Sequence, residues 1–84
     1  MNQRQRDSAA GLYRLLTIAE RDAIIAATHA ARDNAPKGQK LATFSRKAIA
    51  RELGVSHKTL RNWERLHRRC PIHTIIKWRA IVGL

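Results

Sequence analysis

Residues 45–65 read Ser45-Arg46-Lys47-Ala48-Ile49-Ala50-Arg51-Glu52-Leu53-Gly54-Val55-Ser56-His57-Lys58-Thr59-Leu60-Arg61-Asn62-Trp63-Glu64-Arg65. Ser45 is a helix-capping residue, and a helix of about 46–53 follows it. Ile49 and Leu53, four apart, put one apolar ridge on that helix, and Ala50 is small enough for a second helix to cross closely. Gly54 ends the helix, where a side chain would strain the left-handed backbone that such turns need. Val55 plugs the corner. Ser56 caps the next helix, which runs from 57 into the 67–69 region. On it Leu60 and Trp63, three apart, pack back onto the first helix.

A short helix, a glycine turn and a second helix are the helix-turn-helix layout, whose second helix enters the DNA major groove. The remaining positions of that second helix are polar. His57, Lys58, Arg61, Asn62 and Arg65 recur at spacings of one, three and four, so they share a face opposite Leu60 and Trp63. Arg forks onto guanine, Asn pairs with the edge of adenine, and Lys or further Arg residues hold phosphate. The helix start at Ser56 adds backbone N–H groups suited to a phosphate.

The charge agrees with this reading. The 84-residue, strongly basic chain carries a formal net charge of +11. Residues 1–36 hold five basic and four acidic side chains, a net of +1, whereas residues 37–84 hold twelve basic side chains against Glu52 and Glu64, a net of +10. A surface of that kind repels itself unless something anionic offsets it. Lys37, Lys40, Arg68 and Arg69 flank the two helices and are expected on phosphate, as is Ser56.

The stretch Ala-Ile-Ala-Arg-Glu-Leu-Gly-Val-Ser, followed by Thr-Leu-Arg-Asn-Trp-Glu-Arg, resembles the helix-turn-helix of bacterial, phage and plasmid regulators. By pattern it is similar to the Cro and lambda-repressor-like group and to the MerR-like group. The resemblance covers about residues 45–70. It implies that Ser56, His57, Lys58, Arg61, Asn62 and Arg65 face the groove, and that Arg46 and Lys47 touch phosphate. A MerR-like chain would continue into a β-wing, whereas Arg68-Arg69-Cys70-Pro71-Ile72 leads into an apolar helix. A Cro-like chain expects a helix before the motif and more helix after it. Transposases carry such a motif too.

Outside the motif everything with periodicity reads as helix, with no strand alternation and no hairpin turn. A first short helix is expected from about Ser8 to Leu16. Thr17-Ile18-Ala19-Glu20 reads as a capping box that opens a second helix to about Asp33, with Ile18, Ala23, Ile24, Ala27, Ala30 and Ala31 as its apolar stripe. Pro71 fits the first turn of a last helix running to about Val82, and Gly83 terminates it. The expected fold is a small all-α domain of four to five helices. Residues 1–33 form a helical segment for dimerisation or packing, 34–44 a linker or loop, and 45–84 the DNA-binding unit with a C-terminal packing helix.

His67, Cys70 and His73 have a His-x2-Cys-x2-His spacing. Zinc wants four tetrahedral ligands, only His57 or His29 could complete the set, and Pro71 interrupts the run, so no metal is expected. The chain is too short to enclose a thiol active site, and no enzyme activity or cofactor is expected. Trp63 is expected to pack between helices rather than stack on bases, and Cys70 to be a buried thiol. No apolar run reaches the roughly 18 residues of a membrane span, and no membrane partner is expected. A lone Cys70 closes no internal disulfide and fits a cytoplasmic, nucleoid-associated protein.

The expected function is a sequence-specific regulator of transcription that binds double-stranded DNA, a repressor acting as a homodimer. The alternative is an accessory or assembly module for transposition, recombination or replication, docking a larger partner through residues 1–33 or 71–84.

Overall fold

The structure is a computed structural model in which residues 12–36, 38 and 43–84 are described. In chain order the elements are β1 (Tyr13–Arg14), α1 (Ile18–Asn34), α2 (Arg46–Leu53), α3 (His57–Glu64), β2 (Cys70–Pro71) and α4 (Ile72–Ile81). The domain is predominantly helical, with four helices among the described residues and one two-stranded ribbon.

The capping signals act where the sequence puts them. Thr17 Oγ1 accepts the Glu20 N–H and Glu20 Oε1 accepts the Thr17 N–H, closing the capping box of α1. Ser45 Oγ accepts from Ala48 N–H on α2, and Ser56 Oγ from Thr59 N–H on α3. Pro36 disfavours helical backbone at the residue before it, and Ala35 is extended at ψ 149°, which stops α1 at Asn34.

The other three helices end in one way. At the end of α2, Gly54 N–H donates to Arg51 O and Val55 N–H to Ala50 O, with Gly54 at φ 74°. At α3 the pair is Leu66 to Trp63 O and His67 to Asn62 O, and at α4 it is Gly83 to Ala80 O and Leu84 to Arg79 O. This paired closure satisfies carbonyls that would otherwise lack donors, and it requires a left-handed residue just past the helix. Glycine fills that place twice. Leu66 fills it once, at φ 62°.

Three sequence expectations are corrected here. Helix at 12–16 is replaced by β1, which pairs antiparallel with β2, Tyr13 opposite Pro71 and Arg14 opposite Cys70; residues 8–11 of that expected helix lie outside the described residues. The pairing continues into the start of α4. Pro71 gives α4 no side-chain cap, and the free Ile72 N–H at its start donates to Leu12 O at 2.9 Å. Second, α3 stops at Glu64 rather than at 67–69, because Leu66 turns left-handed. Arg68 and Arg69 therefore lie in the connection to β2. Third, the apolar stripe of α1 narrows to Ile24 and Ala27, which pack on the core, while Ile18, Ala23 and Ala30 are exposed.

The core draws on all four helices and the ribbon. Leu16, Ile24, Ile49, Ala50, Leu60, Trp63, Cys70, Ile75, Trp78 and Val82 are buried together, with Leu53, Val55 and Leu66 against them. The spacing-derived packing positions of α2 and α3 are thus inside. Trp78, whose role the sequence leaves open, is among the most buried side chains. Cys70 is fully buried, and loss of hydration raises its thiol pKa to about 12. At that value it stays protonated and inert near neutral pH. No helix among the described residues is long and apolar enough to cross a membrane.

Candidate nucleic-acid interface

The arrangement begins with two eight-residue helices whose relative placement is set by the turn at Gly54. Leu60 and Trp63 anchor the inner side of α3. Trp63 is held further by its indole N–H, which donates to Arg69 O at 3.2 Å. With the inner side fixed, the opposite side of α3 has no freedom but to face outward.

That outward side carries the five residues expected to read bases. His57, Lys58 and Arg65 are exposed, and Arg61 and Asn62 are half-buried. The side chains of His57, Lys58 and Arg65 make no hydrogen bond or ion pair with another described residue, so their donors are open to a ligand. Arg61 makes one electrostatic contact, Nη1 to Glu64 Oε2 at 3.7 Å.

The residues expected on phosphate fall into three groups. Lys47 on α2 and Arg68 beyond α3 are exposed and stand on the margins of the polar face in sequence. Arg69 is also exposed, and its backbone carbonyl is the acceptor for Trp63. Ser56 spends its hydroxyl within the protein, accepting from Thr59 N–H and donating to Thr59 Oγ1 at 2.9 Å. What it leaves for an anion is the first-turn backbone: the N–H groups of His57 and Lys58 precede any intrahelical acceptor. Arg46 spends its Nε within the protein as well. Its Nε donates to Glu64 Oε2 at 2.8 Å and Oε1 at 3.2 Å, which ties the start of α2 to the end of α3. Lys37 and Lys40 lie outside the described residues.

One residue at this interface escapes the sequence reading. Glu64 binds Arg46 and Arg61 through its carboxylate and Arg21 Nη1 through its backbone oxygen at 3.2 Å. A signal existed for Glu64: it is one of two acids in a net +10 segment and stands three residues after an arginine on a helix.

Among the described residues no group of three or more His, Cys, Asp or Glu is placed to hold a metal ion. His67 and His73 are exposed on either side of the buried Cys70. Compared with models of known protein families, with curated proteins and with solved structures, the chain returns no match.

Proposed function

We propose that the protein binds double-stranded DNA sequence-specifically as a transcriptional regulator, a repressor of phage or plasmid type acting as a homodimer. The observation that carries the reading is the division of α3. Leu60 and Trp63 are buried, while His57, Lys58, Arg61, Asn62 and Arg65 form the opposite face of the same eight-residue helix and its cap. A helix fixed on its inner side and lined with fork-shaped and amide donors on its outer side suits the major groove, where base edges differ in their donors and acceptors. Lys47 and Arg68 supply positive charge that positions a duplex without reading it.

A second reading is favoured by one feature. Leu12, Tyr13, Pro71, Ile72, His73 and Ile76 line a groove beside the ribbon, and Leu12 and Ile76 are exposed there. In an accessory module such a groove would meet a larger protein.

Selection of bound sequences from a random duplex library, at stated salt, separates the two. A homodimeric regulator enriches a palindrome with half-sites about one helical turn apart. A module enriches none and gains DNA affinity only when its partner is added.

A further inference from the structure

Glu64 is an acid on a helix whose outward side chains are basic or neutral. It lies three residues from Arg61, hence about 60° around the helix, on the border between buried Leu60 and the outward face. Its position is unfavourable on its own terms. The side chain is only 11% exposed, it ends a helix whose C-terminal dipole repels anions, and it stands close to where a phosphate backbone would approach. Two guanidinium groups offset this. Arg46 Nε donates to both carboxylate oxygens, and Arg61 Nη1 sits at 3.7 Å. At that distance the Arg61 contact is electrostatic rather than a hydrogen bond, so none of the five N–H donors of Arg61 is consumed.

A free arginine on a DNA-binding face has a sequence-independent alternative, the nearest phosphate. It also loses much rotamer freedom when it is fixed on a base. A carboxylate beside it counters both effects, drawing the guanidinium away from phosphate and restricting it before DNA arrives. The same carboxylate keeps Arg46 on the protein. We propose that Glu64 is a positioning residue for sequence discrimination: it orients Arg61 toward a base edge and withholds Arg46 from the phosphates. This rests on the DNA-reading function proposed above.

The test compares Glu64→Gln with wild type on two duplexes of equal length, the sequence selected from a random library and a scrambled version of it. The expected result is a fall of about tenfold in the ratio of the two affinities, within the range that one bidentate base contact supplies. Binding to the scrambled duplex tightens, and the slope of log K against log salt steepens by about one unit as Arg46 reaches a phosphate. In an Arg61→Ala background the same substitution leaves the ratio unchanged, because Glu64 acts through Arg61. Glu64→Asp keeps the charge but retracts it by one methylene, and it gives an intermediate ratio even if Glu64→Gln fails to fold. A lowered melting temperature with an unchanged ratio and slope overturns the proposal, as does an equal fall in the Arg61→Ala background. Wild-type protein with no preferred sequence overturns the DNA-reading function, and this proposal with it.

Discussion

The indole rings of Trp63 on α3 and Trp78 on α4 meet with centroids 6.2 Å apart and planes tilted by 44°. Tilted pairs at such separations are favourable because the positive edge of one ring faces the negative face of the other. The contact couples the candidate recognition helix to the C-terminal helix, so the orientation of the polar face depends on a residue far along the chain. Replacing Trp78 by Ala is expected to cost about 3–5 kcal/mol, a large part of the stability of a domain this size. Thermal melting followed by far-ultraviolet circular dichroism checks it: Trp78→Ala melts far below wild type or is unfolded at 25 °C, and Trp78→Phe retains a cooperative transition.

The turn between α2 and α3 gives a smaller and cleaner expectation. A Cβ on Gly54 would meet nothing within 4 Å, so the cost of Gly54→Ala comes from its φ of 74° alone. That cost is about 1 kcal/mol. In a domain of this size the melting temperature drops by roughly 4–8 °C. A drop several times larger would mean that the turn also packs against something.

Glu20 links the ribbon to α1 and makes stability depend on pH. Arg14 Nη1 and Nη2 each donate to a Glu20 carboxylate oxygen at 2.6 Å, and the Thr17 N–H adds a third bond. The arginine first, then the Thr17 amide, lower the Glu20 pKa from 4.5 to about 2. A carboxylate lowered on folding contributes stability in full above its unfolded value and loses it as pH falls through the folded value. The loss therefore runs from pH 4.5 down to about 2. Solvent screens the pair, since Arg14 is 41% exposed, and the loss is on the order of 1 kcal/mol. Denaturant unfolding between pH 6 and 2 checks it: stability falls less steeply in Glu20→Gln than in wild type.

Phosphate contacts and base contacts should separate in their dependence on salt. Arg68 and Lys47 are exposed on either side of α3 in the chain. Loss of either side chain is expected to weaken binding to all duplexes alike and to reduce the salt slope by about one unit. Fluorescence anisotropy titrations from low to moderate salt measure this. A change in sequence preference, with the slope intact, would move these residues to the base-reading set.

The parts of the fold legible in the sequence are those governed by local chemistry. Thr17 with Glu20, Ser45, Gly54 and Ser56 mark helix boundaries because each acts on backbone within a few residues. The inner positions Ile49, Ala50, Leu60 and Trp63 are legible because helical spacing alone puts them on one side. The rest depends on partners distant in sequence. Leu12-Tyr13-Arg14-Leu15-Leu16 has the apolar density of a helix, and pairing with Cys70-Pro71 and the Ile72 N–H draws it into a strand instead. The end of α3 is concealed by a leucine in a place that usually calls for glycine. Leu66 is retained there with its side chain against the core, and burial of that side chain opposes the backbone strain. At the interface, the polar face follows from periodicity, whereas the hold of Glu64 on Arg46 joins residues eighteen apart and needs the fold.

If the outer face of α3 reads bases, replacing Arg61 must change which sequences are bound. Selection from a random duplex library, run side by side with wild type and Arg61→Ala at one fixed salt concentration, gives the preference at every position. Arg61→Ala is expected to lose preference at one base pair in each half-site, with about 1–3 kcal/mol lost there and the other positions intact. Uniform weakening across all sequences, with every positional preference preserved, would contradict it.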